Sequence, residues 1–201
     1  MIGGTGNLGR GLALRWAKAS LNILIGSRYR EKASTIAKEI TDKIGREVKG
    51  STNEEVAKVS DVIVLTIPFE GMKNIIESIS QHLNGKIVIS TIVSPIFSQK
   101  SAGEILRGLI PRTTYLASAF HNISYKALLD LEKEVECDVP VCGDGEAKKI
   151  ALELAEKIPG VRAFDCGPIE YSKIIENFTH LLIYMNKKYK RKSISFKFTG
   201  I

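Results

Sequence analysis

The sequence has few of the features that mark several classes of protein. Its 201 residues contain three cysteines, Cys137, Cys142 and Cys166, which are too few and too unevenly spaced for a disulfide framework or a Cys-x-x-Cys metal site. No apolar run approaches the roughly 18 residues that a membrane-spanning helix needs. No basic segment followed by an apolar one stands at the amino terminus, as a signal peptide requires. We therefore expect buried free thiols, no metal, no membrane partner and a cytoplasmic location.

Aromatic residues are scarce at 7%, and acidic residues are outnumbered by basic ones, which gives a formal net charge of +7. A basic protein attracts anions such as nucleic acid or multiply charged cofactors. No nucleic-acid motif and no basic stripe interleaved with aromatics is present, so we expect no nucleic-acid partner. The excess charge is either a solvated tail or a means of steering anionic small molecules. It is concentrated near the carboxyl terminus, at Lys187, Lys188, Lys190, Arg191, Lys192 and Lys197.

A glycine-rich segment begins almost at the first residue. Gly4-Thr5-Gly6-Asn7-Leu8-Gly9 has the G-x-G-x-x-G spacing of a dinucleotide-binding turn. The apolar residues that follow predict a helix starting at the last glycines, and residues 22–25 are typical of a short buried strand. In such a turn Gly6 lets the backbone approach a pyrophosphate, Gly9 lets the helix pack closely, and the helix amino terminus faces the phosphates. The alternative interpretation is a glycine-rich turn without a ligand.

The residues after this predicted strand indicate which dinucleotide would bind. Gly26-Ser27-Arg28 stands where such folds place the residue that contacts the adenosine ribose, and an acid there would select NAD. The position instead holds Ser27 and Arg28, with Lys32 four residues later. A hydroxyl and two cations suit the 2′-phosphate of NADP. Because cations are mildly unfavourable at a helix start, their presence favours this interpretation over an ordinary surface.

The strand before the glycine turn is expected to be central in the sheet and roughly five residues long. Only Met1 and Ile2 precede Gly3. Either this strand is stunted, or the natural start lies upstream and the sequence is clipped. A clipped central strand would leave ladder groups unpaired and should cost stability.

The alternation of predicted strands and helices indicates an α/β fold, namely a Rossmann-type, doubly wound, mostly parallel sheet with a small carboxyl-terminal extension of helix and strand. The clearest buried strand covers residues 61–67, the longest helix covers 170–189, and residues 193–198 are predicted as an edge strand. No linker divides the chain. We expect a single domain over 1–201, with about 120–201 as a smaller lobe that completes a second-substrate pocket.

In an open parallel sheet, ligands bind outside the carboxyl ends of the strands. Further loops predicted at that edge cover residues 66–69, 91–94 and 120–123. Ile67 and Pro68 would place small, dry groups beside a nicotinamide. His121 is either a wall of a second-ligand pocket or a structural histidine, and the residue alone does not decide between them.

Several segments spread over nearly the whole chain point to one family. They are Gly-Gly-Thr-Gly-Asn-Leu-Gly at 3–9, Ile-Gly-Ser-Arg at 25–28, Leu-Thr-Ile-Pro at 65–68, Ser-Ala-Phe-His-Asn at 118–122, Asp-Val-Pro-Val-Cys-Gly at 138–143 and Asp-Cys-Gly-Pro at 165–168. Together they resemble the archaeal coenzyme F420H2:NADP+ oxidoreductases. The resemblance implies an oxidoreductase, usually a homodimer, that transfers a hydride between NADP(H) and the deazaflavin F420.

The resemblance also implies positions for the two cofactors. It places NADP against Thr5, Ser27, Arg28 and Lys32, with Ile67 and Pro68 nearer the nicotinamide, and the deazaflavin against His121, Asn122 and Ile123. With these we group the glycine turn and Val93, so that the full set of expected cofactor-binding residues is Gly4, Thr5, Gly6, Asn7, Leu8, Gly9, Ser27, Arg28, Lys32, Ile67, Pro68, Val93, His121, Asn122 and Ile123.

Direct hydride transfer needs neither a nucleophile nor an obligatory side-chain acid, so no catalytic residue is expected beyond these contacts. The sequence departs from the family pattern at the short first strand, in the loop at 93–100, and at Ser124-Tyr125. Two other functions remain open on the sequence: an NADPH-dependent reductase of FMN or FAD with the same fold, and an NADP-binding protein without catalysis.

Overall fold

Strands and helices follow one another in largely alternating order in the computed structural model, which describes all residues from 1 to 201. The strands are β1 (Leu24–Ser27), β2 (Lys49–Thr52), β3 (Val62–Leu65), β4 (Ile87–Ser90), β5 (Tyr115–Ser118), β6 (Cys137–Gly143) and β7 (Val161–Asp165). The helices are α1 (Asn7–Lys18), α2 (Arg30–Ile44), α3 (Asn53–Val59), α4 (Met72–Ile79), α5 (Ala102–Leu109), α6 (Tyr125–Leu129), α7 (Gly145–Glu156) and α8 (Ser172–Lys188).

The strands form two ladders. β3, β4, β5, β6 and β7 make a five-stranded sheet in that order, and β1 pairs with β2. All of these pairs are parallel except β5 with β6, which is antiparallel. The predicted Rossmann-type, mostly parallel sheet is confirmed.

Met1 and Ile2 join the two ladders. Ile2 forms a parallel bridge with Leu65 of β3. On the other side the Met1 amine donates to the carbonyl of Leu24 at 2.9 Å, and the Gly26 amide donates to the carbonyl of Met1 at 2.7 Å. Residues 1–2 therefore lie between β1 and β3 and join the two ladders into one sheet.

A cavity of about 710 Å³ lies next to Met1, at the amino ends of β1 and β3. The Val64 carbonyl accepts from the Ile2 amide, and the Thr66 amide donates to the Ile2 carbonyl. In a strand the amide and the carbonyl of one residue point to the same side, so the Val64 amide faces the cavity beside Met1 without a strand partner. Burial of the Met1 amine disfavours its charged form and lowers its pKa to about 5. This cavity lies at the end of the sheet opposite to the edge where ligands bind in such folds.

Alternate residues of the central strands face two separate cores. One core joins the sheet to α1, α2 and α7, and the other joins it to α3, α4 and α5. Val64, Ile89 and Ala117 face the first core, whereas Ile63, Leu65, Val88 and Leu116 face the second. Helices thus cover both faces, which confirms the doubly wound arrangement.

Some predicted boundaries are wrong. The strand predicted at 22–25 is displaced to β1, so Gly26 and Ser27 end a strand instead of opening a loop. Residues 193–198 form no strand. They lie along β6, where the Asp138 amide donates to the Phe196 carbonyl at 3.1 Å. Two residues further on, the Phe198 amide donates to the Asp138 carboxylate, which also accepts from Arg162. A side chain thus takes the place of the backbone bond that a strand paired with β6 would make there.

Candidate functional site

The glycine turn exposes an uncapped helix amino terminus. α1 starts at Asn7 after Gly6, and no side chain caps it. The first helical bond runs from the Arg10 amide to the Gly6 carbonyl at 2.9 Å. The amides of the three preceding residues, Asn7, Leu8 and Gly9, have no hydrogen-bond partner in the structure. Three free N–H groups at the positive end of a helix dipole are donors of the kind that bind an anion such as a pyrophosphate.

Gly6 and Gly9 have different roles in this turn. A Cβ on Gly9 would lie 2.7 Å from Thr66 Oγ1 and 2.8 Å from the Gly4 Cα, so only glycine lets α1 pack this closely on the turn. A Cβ on Gly6 would meet no protein atom closer than 3.7 Å. Gly6 is exposed, and its backbone, at φ −75°, suits any residue. The fold therefore does not need glycine there, whereas a ligand that approached the free amides would need the open space.

Three contacts hold the turn in place. The Gly4 amide donates to the Gly26 carbonyl at 3.0 Å, and Thr66 Oγ1 donates to the Ile2 carbonyl at 3.1 Å. The third contact runs from the Gly3 amide to Asn53 Oδ1 at 3.1 Å. Asn53 is buried at the start of α3, fifty residues away in the chain, and no spacing rule marks it. Sequence reasoning missed this residue.

The residues predicted to bind a 2′-phosphate lie together where β1 ends and α2 begins. Ser27 is buried at the last position of β1, and its hydroxyl accepts from the Tyr29 amide at 3.3 Å. Arg28 and Lys32 are exposed and have no ion-pair or hydrogen-bond partner in the structure. Arg30, between them, is bonded to Ser51 and Glu55. The site therefore offers two free cations beside a hydroxyl, a set that fits a dianionic phosphate.

The expected nicotinamide side is apolar. Ile67 is buried directly after β3, Pro68 follows it at the surface, and Val93 lies half-buried after β4. The Thr91 amide donates to the Leu65 carbonyl at 3.1 Å, which ties the loop after β4 to the end of β3. These residues meet the glycine turn at the carboxyl edge of the sheet, because a Cβ on Gly3 would overlap the Ile67 side chain. They form a dry wall beside the free helix end.

A left-handed turn follows β5 and directs two polar side chains inward. Phe120 has φ +66° although it is not glycine, and it is fully buried with its ring 5.5 Å from that of Trp16. Such strained positions cluster at functional sites. Next to it, His121 Nε2 lies 3.1 Å from the Ser118 hydroxyl, and the Asn122 side-chain amide donates to the Asp138 carbonyl at 2.7 Å.

His121 and Asn122 also line a cavity of about 320 Å³ between this turn and α8. His121 Nδ1 and Asn122 Oδ1 are buried and have no hydrogen-bond partner. Burial lowers the pKa of His121 to about 3, so the imidazole is neutral at pH 7. Buried polar atoms normally have a partner, so these two atoms, which belong to residues that line one cavity, leave hydrogen-bonding capacity unused there. The other lining residues include Ile123, Tyr125, Lys126, Thr179, Leu182 and Asn186.

The three cysteines offer no reactive thiolate. Burial raises the pKa of Cys137 and of Cys142 to about 12 and also raises that of Cys166, so all three remain protonated thiols. None of the three forms a disulfide. No group of three His, Cys, Asp or Glu residues could hold a metal ion. The helices are all too short or too polar to cross a membrane.

The chain is similar in sequence and fold to several known proteins. Residues 1–94 match the sequence model of a family described as NADP oxidoreductase, coenzyme F420-dependent. The whole chain is 41% identical to the F420-dependent NADP reductase of Methanocaldococcus jannaschii, of which it covers 97%, and 38% identical to that of Methanothermobacter thermautotrophicus, of which it covers 94%. A crystal structure from Arthrobacter sp. FB24 shares the fold, with a TM-score of 0.79 and 18% identity over 98% of this chain and 96% of that one. The chain therefore belongs to the F420-dependent NADP reductase family.

Proposed function

We propose that this protein transfers a hydride between NADP(H) and the deazaflavin coenzyme F420. The observation that carries the proposal is the pairing of a free helix amino terminus with unpartnered Arg28 and Lys32 at the ribose position. The relatives that are 37–41% identical over the full chain are named for this same pair of substrates.

The residues present fit NADP along its length. The amides of residues 7–9 would bind the pyrophosphate, with Gly6 leaving room for it, and Thr5 would lie beside them. Ser27, Arg28 and Lys32 would bind the 2′-phosphate. Ile67, Pro68 and Val93 would support the nicotinamide and keep water away from it. The backbone amides of residues 7–9 are preorganised donors, so this part of the site needs no side chain.

The second substrate would lie against His121, Asn122 and Ile123. A neutral imidazole nitrogen and an amide oxygen, both without partners, suit the polar edge of a heterocycle. We infer that residues 120–201 complete this pocket, because α8 supplies its opposite wall through Thr179 and Leu182. The exposed Lys126 would attract the acidic tail of F420.

The bound nicotinamide and deazaflavin rings supply the hydride donor and acceptor carbons when both are present. The residues of this chain bind and orient these rings and exclude water, which is sufficient for a transfer that needs no side-chain acid. His121 remains neutral and serves as a hydrogen-bonding partner. We expect no single residue whose removal alone abolishes hydride transfer.

We also propose that two copies associate through α8. One side of this helix is apolar and about half exposed at Ile174, Phe178 and Leu181, which recur at helical spacing. An apolar helix face left in water is typical of an interface. The cytoplasm is the compartment that we propose, because three unpaired thiols suit a reducing environment.

The change Gly6→Ala tests the proposed NADP site. Because a Cβ at Gly6 meets no protein atom closer than 3.7 Å, we expect an unchanged melting temperature. The methyl group would stand above the free amides, so NADPH should bind about ten times more weakly or worse, measured by calorimetric titration. Gly108→Ala, also in open space, is the matched control and should leave the affinity unchanged. Wild-type affinity in the Gly6 variant would contradict the assignment.

A further inference from the structure

One buried carboxylate lies outside the proposed contacts with either substrate. Glu176 is on α8 and is 1% exposed, although it has no cationic partner in the structure. Burial of a carboxylate is costly unless hydrogen bonds compensate for the loss of water. The hydrogen-bond partners of Glu176 therefore indicate its role in the fold.

All of its partners belong to the segment that follows β4. Glu176 Oε2 accepts from the Ser94 amide at 2.9 Å, from the Ser94 hydroxyl at 2.7 Å and from the Ala102 amide at 2.9 Å. Glu176 Oε1 accepts from the Gly103 amide at 3.2 Å. Ala102 and Gly103 open α5, so one side chain joins three parts of the fold: α8, the loop after β4, and the amino terminus of α5.

Other residues on the same side of α8 bind the same loop. His180 Nε2 donates to the Ser94 carbonyl at 2.8 Å, so both backbone groups of Ser94 are held by α8. Lys173 donates to the Ser98 carbonyl at 2.7 Å. α5 and α8 pack closely at this point, because a Cβ on Gly103 would lie 2.8 Å from Ser172 Oγ. The loop is thus held by side chains of α8 and not by a sheet ladder.

Val93 precedes the residue that this carboxylate holds. On the other side of Val93, the Ile92 amide donates to the Ser90 hydroxyl at 3.2 Å, and Ile92 is buried. Val93 is therefore fixed from two directions, by the end of β4 and by Glu176 acting through Ser94. A displacement of about 1 Å at a hydride-transfer site can cost about 100-fold in rate.

We propose that Glu176 is a positioning residue for hydride transfer: it fixes Ser94 and thereby sets Val93 against the nicotinamide. This proposal rests on the proposed function. Glu176 lies outside the proposed contacts with either substrate, and its effect passes through the loop after β4. The same helix carries the exposed apolar face at its opposite side, so α8 connects that face to the cofactor site.

The substitution Glu176→Gln tests this role. An amide cannot accept the four hydrogen bonds that the two carboxylate oxygens accept, so Ser94 or the start of α5 loses a partner. We expect kcat for F420 reduction by NADPH to fall about 10- to 100-fold. The affinity for adenosine 2′,5′-bisphosphate, which lacks the nicotinamide, should stay within about twofold. The fluorescence of bound NADPH, which reports on the nicotinamide ring, should lose at least about half of its enhancement.

Glu104→Ala is the matched control. Glu104 caps the same end of α5 through Ser101, so its loss destabilises that helix but leaves the bonds to Ser94 intact. We expect a lower melting temperature with kcat and NADPH fluorescence unchanged. Equal losses of kcat and fluorescence in both variants would show that Glu176 is only structural.

A second variant and a readout independent of F420 reduction keep the role of Glu176 testable. Should Glu176→Gln not fold, Ser94→Ala removes one bond to the carboxylate and should lower kcat and the fluorescence enhancement about threefold. Wild-type values in the folded variants would overturn the positioning role. Absence of F420 reduction by the wild-type protein would refute the proposed function instead, and the NADPH fluorescence would still report the role of Glu176.

Discussion

Arg28 and Arg30 are separated by one residue, yet their surroundings differ. Arg30 is bonded to Ser51 and Glu55, whereas Arg28 is exposed and has no partner. A free guanidinium retains all five donors for a ligand, while a paired one is already engaged. The same residue type therefore has a structural role at one position and a proposed binding role at the other.

The change Arg28→Ala should weaken NADPH binding by about 1–3 kcal/mol, the magnitude of a lost charged hydrogen bond. NADH, which lacks the 2′-phosphate, should bind equally to the variant and the wild type. Arg30→Ala removes the same charge from a paired position and serves as the control, with NADPH affinity close to that of the wild type. Titration of each protein with both nucleotides measures these effects. An unchanged NADPH affinity in the Arg28 variant would be inconsistent with a phosphate contact.

At this scale the sequence predicts residues that act through spacing. The glycine turn and the position of Ser27 and Arg28 follow from a local pattern, and the structure places them at one edge of the sheet. Asn53 and Glu176 could not be found in this way. Their partners are 50 and 82 residues away in the chain, so their roles exist only once the chain is folded.

Among the elements, the segment that joins the two ladders is the most unusual. Its two residues leave the Met1 amine buried, with its pKa lowered from 8.0 to about 5. Above pH 8 this amine is neutral in both the folded and the unfolded chain. As the pH falls below 8, the unfolded chain takes up a proton that the folded chain does not, so the folded state loses stability.

We expect the free energy of unfolding to fall by up to about 1.4 kcal/mol per pH unit between pH 8 and 6.5, measured by urea denaturation. Below pH 6.5 the loss should steepen, because His121 has its pKa lowered to about 3 and takes up its proton only on unfolding. An extension of Ile-Thr-Val-Ile on Met1 converts the amine into an amide. It should remove the slope between pH 8 and 6.5 and raise the melting temperature by pairing the free edges of β1 and β3.

An extension of equal length, made of alternating Gly and Ser, is the control. It also removes the amine, so the slope should disappear, but it offers no apolar side chains to the cavity beside Met1 and should stabilise less. A pH slope that persists in both extended proteins would show that the amine is not the titrating group.

Elements with strong periodicity were predictable from the sequence, and elements defined by their partners were not. The long helix predicted at 170–189 corresponds to α8. β2 was missed because Lys-Gly-Ser-Thr has no apolar alternation and becomes a strand by pairing with β1. The opposite error occurred at 193–198, where residues with an alternating pattern lie along β6 but make one backbone bond and side-chain contacts instead of a ladder.

For the whole molecule, the exposed apolar side of α8 predicts a dimer. The wild-type chain of 22.1 kDa should show twice that mass by light scattering. Leu181→Lys places a charge in the apolar face and should shift the protein to the monomer mass. Ser34→Lys, on the exposed side of α2, adds the same charge elsewhere and should leave the dimer intact. A wild-type protein of monomer mass would contradict the proposed association.

The central claim is that one molecule binds NADP and F420 and moves a hydride between them. The most direct test is a spectrophotometric assay in which NADPH or NADH is offered with F420, FMN or FAD. We predict rapid reduction of F420 with NADPH and much slower reduction with every other pair. Reduction of only FMN or FAD would contradict the assignment of the second substrate, and turnover with no pair would contradict an enzymatic role.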